Sequence, residues 1–92
     1  MKFAWNPEKN EILKFGQRAV SFEEIVGAME KGGVLGDFPH PNPEKYPNQR
    51  IAEVSLRGYV WIVPYVREPD GTLFLKTAFP SRMATKRHGG KR

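Results

Sequence analysis

The side chains that could carry chemistry in this chain are cationic and phenolic: Tyr46, Arg50, Tyr65, Lys76, Arg82, Lys86, Arg87 and His88. Metal-free RNA cleavage needs no other kinds. A base removes the 2′-hydroxyl proton, a cation stabilises charge on the phosphoryl oxygens, and an acid protonates the leaving oxygen. The nucleophile is the RNA's own 2′-hydroxyl, so the protein need not supply one. Lys76 and the Arg82 region belong to one strand and its continuation, a placement that lets both side chains converge on one phosphate. Each residue taken singly also reads as a plain surface cation. Ser81 reads first as a helix cap, and Tyr59, Trp61 and Phe74 read as core aromatics.

Other chemistries find little footing. The two histidines, His40 and His88, fall in no ligand spacing, there is no HExxH, and cysteine is absent, so neither a metal nor another cofactor is expected. Gly32-Gly33 ends a helix instead of opening one, unlike a phosphate-cradling loop. Nothing has the form of a nucleophile elbow. The lack of thiols fits a reducing cytoplasm. The longest apolar run, residues 59–66, is far short of the roughly 20 residues that span a bilayer. The opening Met1-Lys2-Phe3-Ala4-Trp5-Asn6-Pro7 does not read as a signal peptide, so no membrane partner is expected.

The net charge of +5 is informative for its location. Residues 1–80 carry ten Lys+Arg and ten Asp+Glu, whereas Arg82, Lys86, Arg87, Lys91 and Arg92 follow with no acid. The whole excess is therefore a basic tail, 81–92, suited to phosphate or to an acidic protein, or simply to water.

The elements that must position these groups read as one domain over 1–92. Lys2 to Trp5 is a short strand or an extended lead-in. Asn6 and Pro7 open a helix running to about Phe15, with Ile12 and Phe15 on one face. Ser21 and Glu24 form a capping box, with Val20 stapled on Ile25. Phe22, Ile25, Val26 and Met29 then make one apolar stripe. Val34 to Phe38 is a strand weakened by Gly36, and the four prolines between Pro39 and Pro47 impose a stiff loop. Ile51 to Leu56 alternates with Ala52, Val54 and Leu56 inward, leaving Glu53 and Ser55 on a face open to a partner. Arg57-Gly58 turns into a central run from Tyr59, where Pro64 predicts a bulge or the end of pairing. Thr72 to Phe79 returns as one strand, Pro80-Ser81 stops the sheet, and a short helix runs from Arg82 to about His88. The result is an α+β fold: two N-terminal helices packed on an antiparallel sheet of about four strands, closed by a short basic helix.

Three stretches resemble the BrnT family of toxins. They are Phe3-Ala4-Trp5-Asn6-Pro7-Glu8-Lys9-Asn10, the helix opening Val20-Ser21-Phe22-Glu23-Glu24, and the closing Ser81-Arg82-Met83-Ala84-Thr85-Lys86-Arg87. Phe74-Leu75-Lys76-Thr77-Ala78-Phe79-Pro80 leads into the last of these in the manner of a BrnT-like branch. Where the family has Lys-His-Gly after its first helix, this chain has Lys14-Phe15-Gly16. The resemblance implies a RelE-like fold, ribonuclease activity that arrests translation, and a cognate antitoxin that would also bind operator DNA. It maps the family's Ser-Arg onto Ser81 and Arg82, and the basic positions after it onto Lys86 and Arg87.

The combined expectation is a metal-independent endoribonuclease. Arg82 would hold the scissile phosphate, Lys76 would serve as base or charge stabiliser, and Tyr46 or Tyr65 would position or protonate the leaving group. Arg50, Ser81, Lys86, Arg87 and His88 would bind the RNA backbone. The competing reading is a non-catalytic module that docks on nucleic acid or on an antitoxin.

Overall fold

Asn6 starts the first helix in the computed structural model, which describes residues 1–89. Its Oδ1 accepts from the backbone N–H groups of Glu8 at 2.7 Å and Lys9 at 3.2 Å, and Pro7 fills the first helical position. Strand β1 (Phe3–Trp5) precedes this cap and α1 (Pro7–Lys14) follows it. The sequence places Ile12 and Phe15 on a packing face, but they stand 64% and 83% exposed. A polar side chain docks the helix instead. Buried Asn10 accepts from the Phe22 N–H through Oδ1 at 2.7 Å and donates through Nδ2 to Glu23 at 2.9 Å. Its amide thereby fastens α1 to the first turn of α2 (Phe22–Ala28).

Helix α2 keeps the expected stripe, with Phe22 and Ile25 wholly buried beside Val20. Ser21 Oγ accepts from the Glu24 N–H at 3.0 Å, half of the expected capping box. The reciprocal half is replaced: the Glu24 carboxylate takes Arg57 Nε at 2.7 Å and Nη2 at 2.6 Å, so it ties the helix to the sheet's hairpin. One wide turn, Met29–Gly33, prolongs α2, and Gly32 at φ 88° lets the chain reverse.

The sheet is larger than the sequence predicts, and it is mixed. Its strands are β2 (Val34–Pro39), β3 (Gln49–Leu56), β4 (Tyr59–Arg67), β5 (Leu73–Leu75) and β6 (Phe79–Ser81), together with β1. The order is β1-β5-β4-β3-β2, with β6 also on β4, and β1 runs parallel to β5. The expected single strand from Thr72 to Phe79 is thus two short ones, and Pro80-Ser81 belongs to the sheet. Arg57 and Gly58, at φ 57° and 78°, form a turn with two left-handed residues, the type that matches strand twist in a two-residue hairpin.

Pro64 leaves the β3 edge of its strand intact, where β3 and β4 pair without interruption from Leu56↔Tyr59 to Gln49↔Val66, and the expected end of pairing falls on the other edge alone. The opposite edge of β4 explains this. There β5 pairs residues 65–67 and β6 pairs 60–62, leaving Pro64 in the gap between them. Its carbonyl accepts from the Lys76 N–H at 2.8 Å, and its missing donor would have pointed into that same gap.

Alternation along the paired strands defines two faces. The near face carries Ala52, Val54, Trp61, Val63, Tyr65, Leu73 and Leu75, which form one core with Val20, Phe22 and Ile25. The far face carries Phe38, Ile51, Glu53, Val60, Ile62, Pro64, Phe74 and Phe79. The closing helix α3 (Arg82–Arg87) lies over one end of it. Among the described residues no helix is long and apolar enough to cross a membrane.

The Asn10 amide predicts a measurable loss on truncation. Asn10→Ala leaves the buried Phe22 N–H without an acceptor, a change worth about 1–3 kcal/mol. Urea unfolding should show a lower midpoint at unchanged m. A midpoint equal to the parent's would remove the amide from the account.

A candidate nucleic-acid interface at the C-terminal helix

Six residues are too few for a helix to persist alone, so α3 must be held by its neighbours. Ser81, aligned with Val60 by the β6–β4 register, caps it by accepting from the Ala84 N–H at 3.0 Å. Thr85 is the rivet. Its buried hydroxyl donates to the Ser81 carbonyl at 2.7 Å and accepts from the Val60 N–H at 2.8 Å. Ala84 is buried without remainder beside it. The helix therefore starts on β4 and runs toward β3.

At its far end it meets Glu53. The sequence places this carboxylate on an open face, but it is only 2% exposed, because α3 covers it. Arg87 Nη1 donates to both carboxylate oxygens, at 3.0 and 2.8 Å, and His88 Nε2 lies 2.6 Å from Oε1. Burial pushes the Glu53 carboxyl up, but the hydrogen bonds from His88 and Arg87 outweigh it and hold the group below the usual carboxylate range. Gly36 closes the site from β2: a Cβ there would stand 2.8 Å from Glu53 Oε1, which Arg87 and His88 hold in place. The β2–β3 register shifts between Val34 and Gly36, next to this contact.

On the outer side of α3, Arg82 and Lys86 are exposed and, among the described residues, their side chains make no hydrogen bond or ion pair. Their i, i+4 spacing puts them on one face. Lys76 is also exposed, its ammonium 5.4 Å from the Phe74 ring centre on the far face. It sits beside Pro64, whereas Ser81 sits beside Val60. Four strand residues at about 3.3 Å each separate them by roughly 13 Å. Lys76 and Arg82 therefore approach one sheet face from backbone positions set well apart, a spacing that long side chains must bridge to reach one phosphate. Phe79, 47% exposed, lies between them in sequence and on the same face.

The remaining expected residues gather elsewhere. Tyr65 belongs to the near-face core at 1% exposure, its hydroxyl donating to Asp37 Oδ2 at 2.6 Å. Burial, with Asp37 adding to it, pushes the Tyr65 phenol up. Arg50, paired with Tyr65 across β3 and β4, binds Asp37 Oδ1 at 3.0 Å. Tyr46 sits in the proline-rich loop, its ring 4.4 Å from that of His40 and capped by Lys45 at 5.5 Å. That loop joins β3 at the end opposite the Arg57-Gly58 hairpin. The set thus divides: Ser81, Arg82, Lys86, Arg87 and His88 share one helix, Lys76 shares its sheet face, and Tyr46, Arg50 and Tyr65 stand apart. Lys91 and Arg92 lie outside the described residues.

Sequence reading gave Glu53, Thr85 and Gly36 no part in anchoring this helix. Gly36 alone carries a signal, since a glycine inside a strand often marks close approach by another group. No grouping of His, Asp and Glu that could hold a metal occurs among the described residues. No family model, characterised protein or solved structure matches the chain.

Glu53 links stability to pH. Its folded carboxyl is held below its unfolded value, near 4.3, so its contribution is present above that value and fades as pH falls through the folded one. The stability gap between the parent and Glu53→Gln should therefore be wider at pH 7 than at pH 3 in urea titrations. A gap that does not change with pH would contradict this.

Proposed function

We propose that this chain is the toxin of a bacterial type II toxin–antitoxin pair. In this reading it has a RelE-like fold and is a cytoplasmic, metal-independent endoribonuclease. It arrests translation by cleaving RNA and is silenced by a cognate antitoxin, through which the pair reaches operator DNA. One observation carries the reading. Arg82 and Lys86 stand exposed, their side chains unpaired among the described residues, on a helix that Ser81, Thr85 and Glu53 lock onto the sheet.

Anchoring the helix holds the backbone of both cations in place, so less chain has to be ordered when a phosphate is bound. Beside them, Lys76 and the exposed Phe79 add a further charge and a ring on the same face, the pairing of basic and aromatic groups that suits a single strand. The resemblance of the opening, of the second helix start and of Ser81 to Arg87 to BrnT toxins points the same way. Arg82 holds the scissile phosphate, Lys86 the next one, and Lys76 stabilises charge further along the strand. Arg50 and Tyr65 serve the fold through Asp37, and Tyr46 belongs to the loop.

The test uses the purified chain in EDTA on a single-stranded RNA. Fragments ending in a 2′,3′-cyclic phosphate are expected, with Arg82→Gln slowing their formation about a hundredfold. Arg82→Gln and Lys86→Gln should each flatten the log–log salt dependence of RNA binding by about 0.7. Salt-sensitive binding without any cleavage would favour the non-catalytic module. An Arg82→Gln protein that cuts as fast as the parent would remove Arg82 from the mechanism.

A further inference from the structure

Glu53 and His88 offer a proton-transfer group. We propose that His88 is the base of the cleavage reaction and Glu53 the residue that positions it, an inference that rests on the RNA-cleaving reading above.

The geometry is specific. Glu53 is ionised, so its oxygens only accept hydrogen bonds. The 2.6 Å contact with His88 Nε2 therefore requires the ring proton on Nε2. In the neutral imidazole this leaves the lone pair on Nδ1, and no described residue bonds to that atom. The imidazole is a quarter exposed, so besides bonding the carboxylate it also reaches solvent. It helps to line a hollow of about 220 Å³ with Ser55, Tyr59, Val60 and Thr85, open beside the cationic helix. Arg82 and His88 are six residues apart, a rise of roughly 9 Å along a helix axis, with Arg82 and Lys86 on the outer side and His88 turned to Glu53, so an RNA strand that touches them all crosses the end of the helix.

In the reaction, Nδ1 takes the 2′-hydroxyl proton and the 2′-oxygen forms a bond to phosphorus. The bond from phosphorus to the 5′-oxygen breaks, its electron pair stays on that oxygen, and water protonates it. The products are a 2′,3′-cyclic phosphate and a 5′-hydroxyl. His88, now an imidazolium, faces the Glu53 carboxylate and returns its proton to solvent. Among the described residues, the charged groups around the ring are Glu53 from β3 and Arg87 from its own helix; Tyr59 of β4 and Leu35 of β2 also line the hollow, and Gly36 passes beside Glu53.

The experiment compares the full-length parent, His88→Gln, His88→Ala and Glu53→Gln on a labelled single-stranded RNA in EDTA under single-turnover conditions. His88→Gln should bind the RNA within about twofold of the parent and cleave about a hundredfold more slowly. Free imidazole should restore cleavage to His88→Ala at least about tenfold, which a merely structural histidine would not allow. Nitrogen NMR of the parent should show the neutral ring protonated at Nε2, and Glu53→Gln should mix the two tautomers. If the parent makes cyclic-phosphate ends and His88→Gln cuts within about threefold of it, the inference falls and the RNA-cleaving reading stands. If the parent binds RNA and never cuts it, both fall.

Discussion

Removing an ionised carboxylate from water costs several kcal/mol unless partners replace the lost solvation. Strand β3 imposes that demand at Glu53, in the middle of a sheet face, and much of the C-terminal architecture answers it. The closing helix must lie across the strand so that Arg87 and His88 reach the two oxygens. Strand β2 must pass without a side chain at Gly36. Thr85 must rivet the helix to β4, because six residues have no stability of their own. The outward direction of Arg82 and Lys86 then follows as a consequence. They are held in place by bonds that they do not themselves make.

A second carboxylate, Asp37, gathers partners on the opposite face although it stays exposed itself. Asp37 receives the Tyr65 hydroxyl and the Arg50 guanidinium, closing the sheet where the proline-rich loop enters. The two anions sort the chain's cations and phenols. Groups claimed by Asp37 are committed to the fold, whereas the helix over Glu53 keeps two cations for solvent or a ligand. A positive excess spread evenly over the surface would have made no such distinction.

Local chemistry was legible in the sequence and partnership across the sheet was not. Asn6, Ser21 and Ser81 cap as their residue types require, and Arg57-Gly58 turns as expected. The apolar stripe of α2 finds the core. Glu53 could not be placed from its strand, because alternation with Ala52 and Val54 says only that it faces away from the core. A helix thirty residues later decides whether that side meets water. Pro64 was legible in part for a related reason: pairing ends beside it on the β5/β6 edge, whereas its type does not say which of its two edges must give way. Tyr65 is a phenol in a run of core residues, and Asp37, twenty-eight positions away, fixes its role.

The division between the two carboxylate-centred clusters gives the most direct test of the account. A short single-stranded RNA with 2′-O-methyl riboses cannot supply the nucleophile, so it binds without being cut. Titrated into nitrogen-15-labelled protein, it should shift the amide signals of Phe79, Arg82, Lys86 and His88, with those of Tyr46 and Arg50 unmoved. Shifts confined to the proline-rich loop and Arg50, with the closing helix silent, would contradict the account.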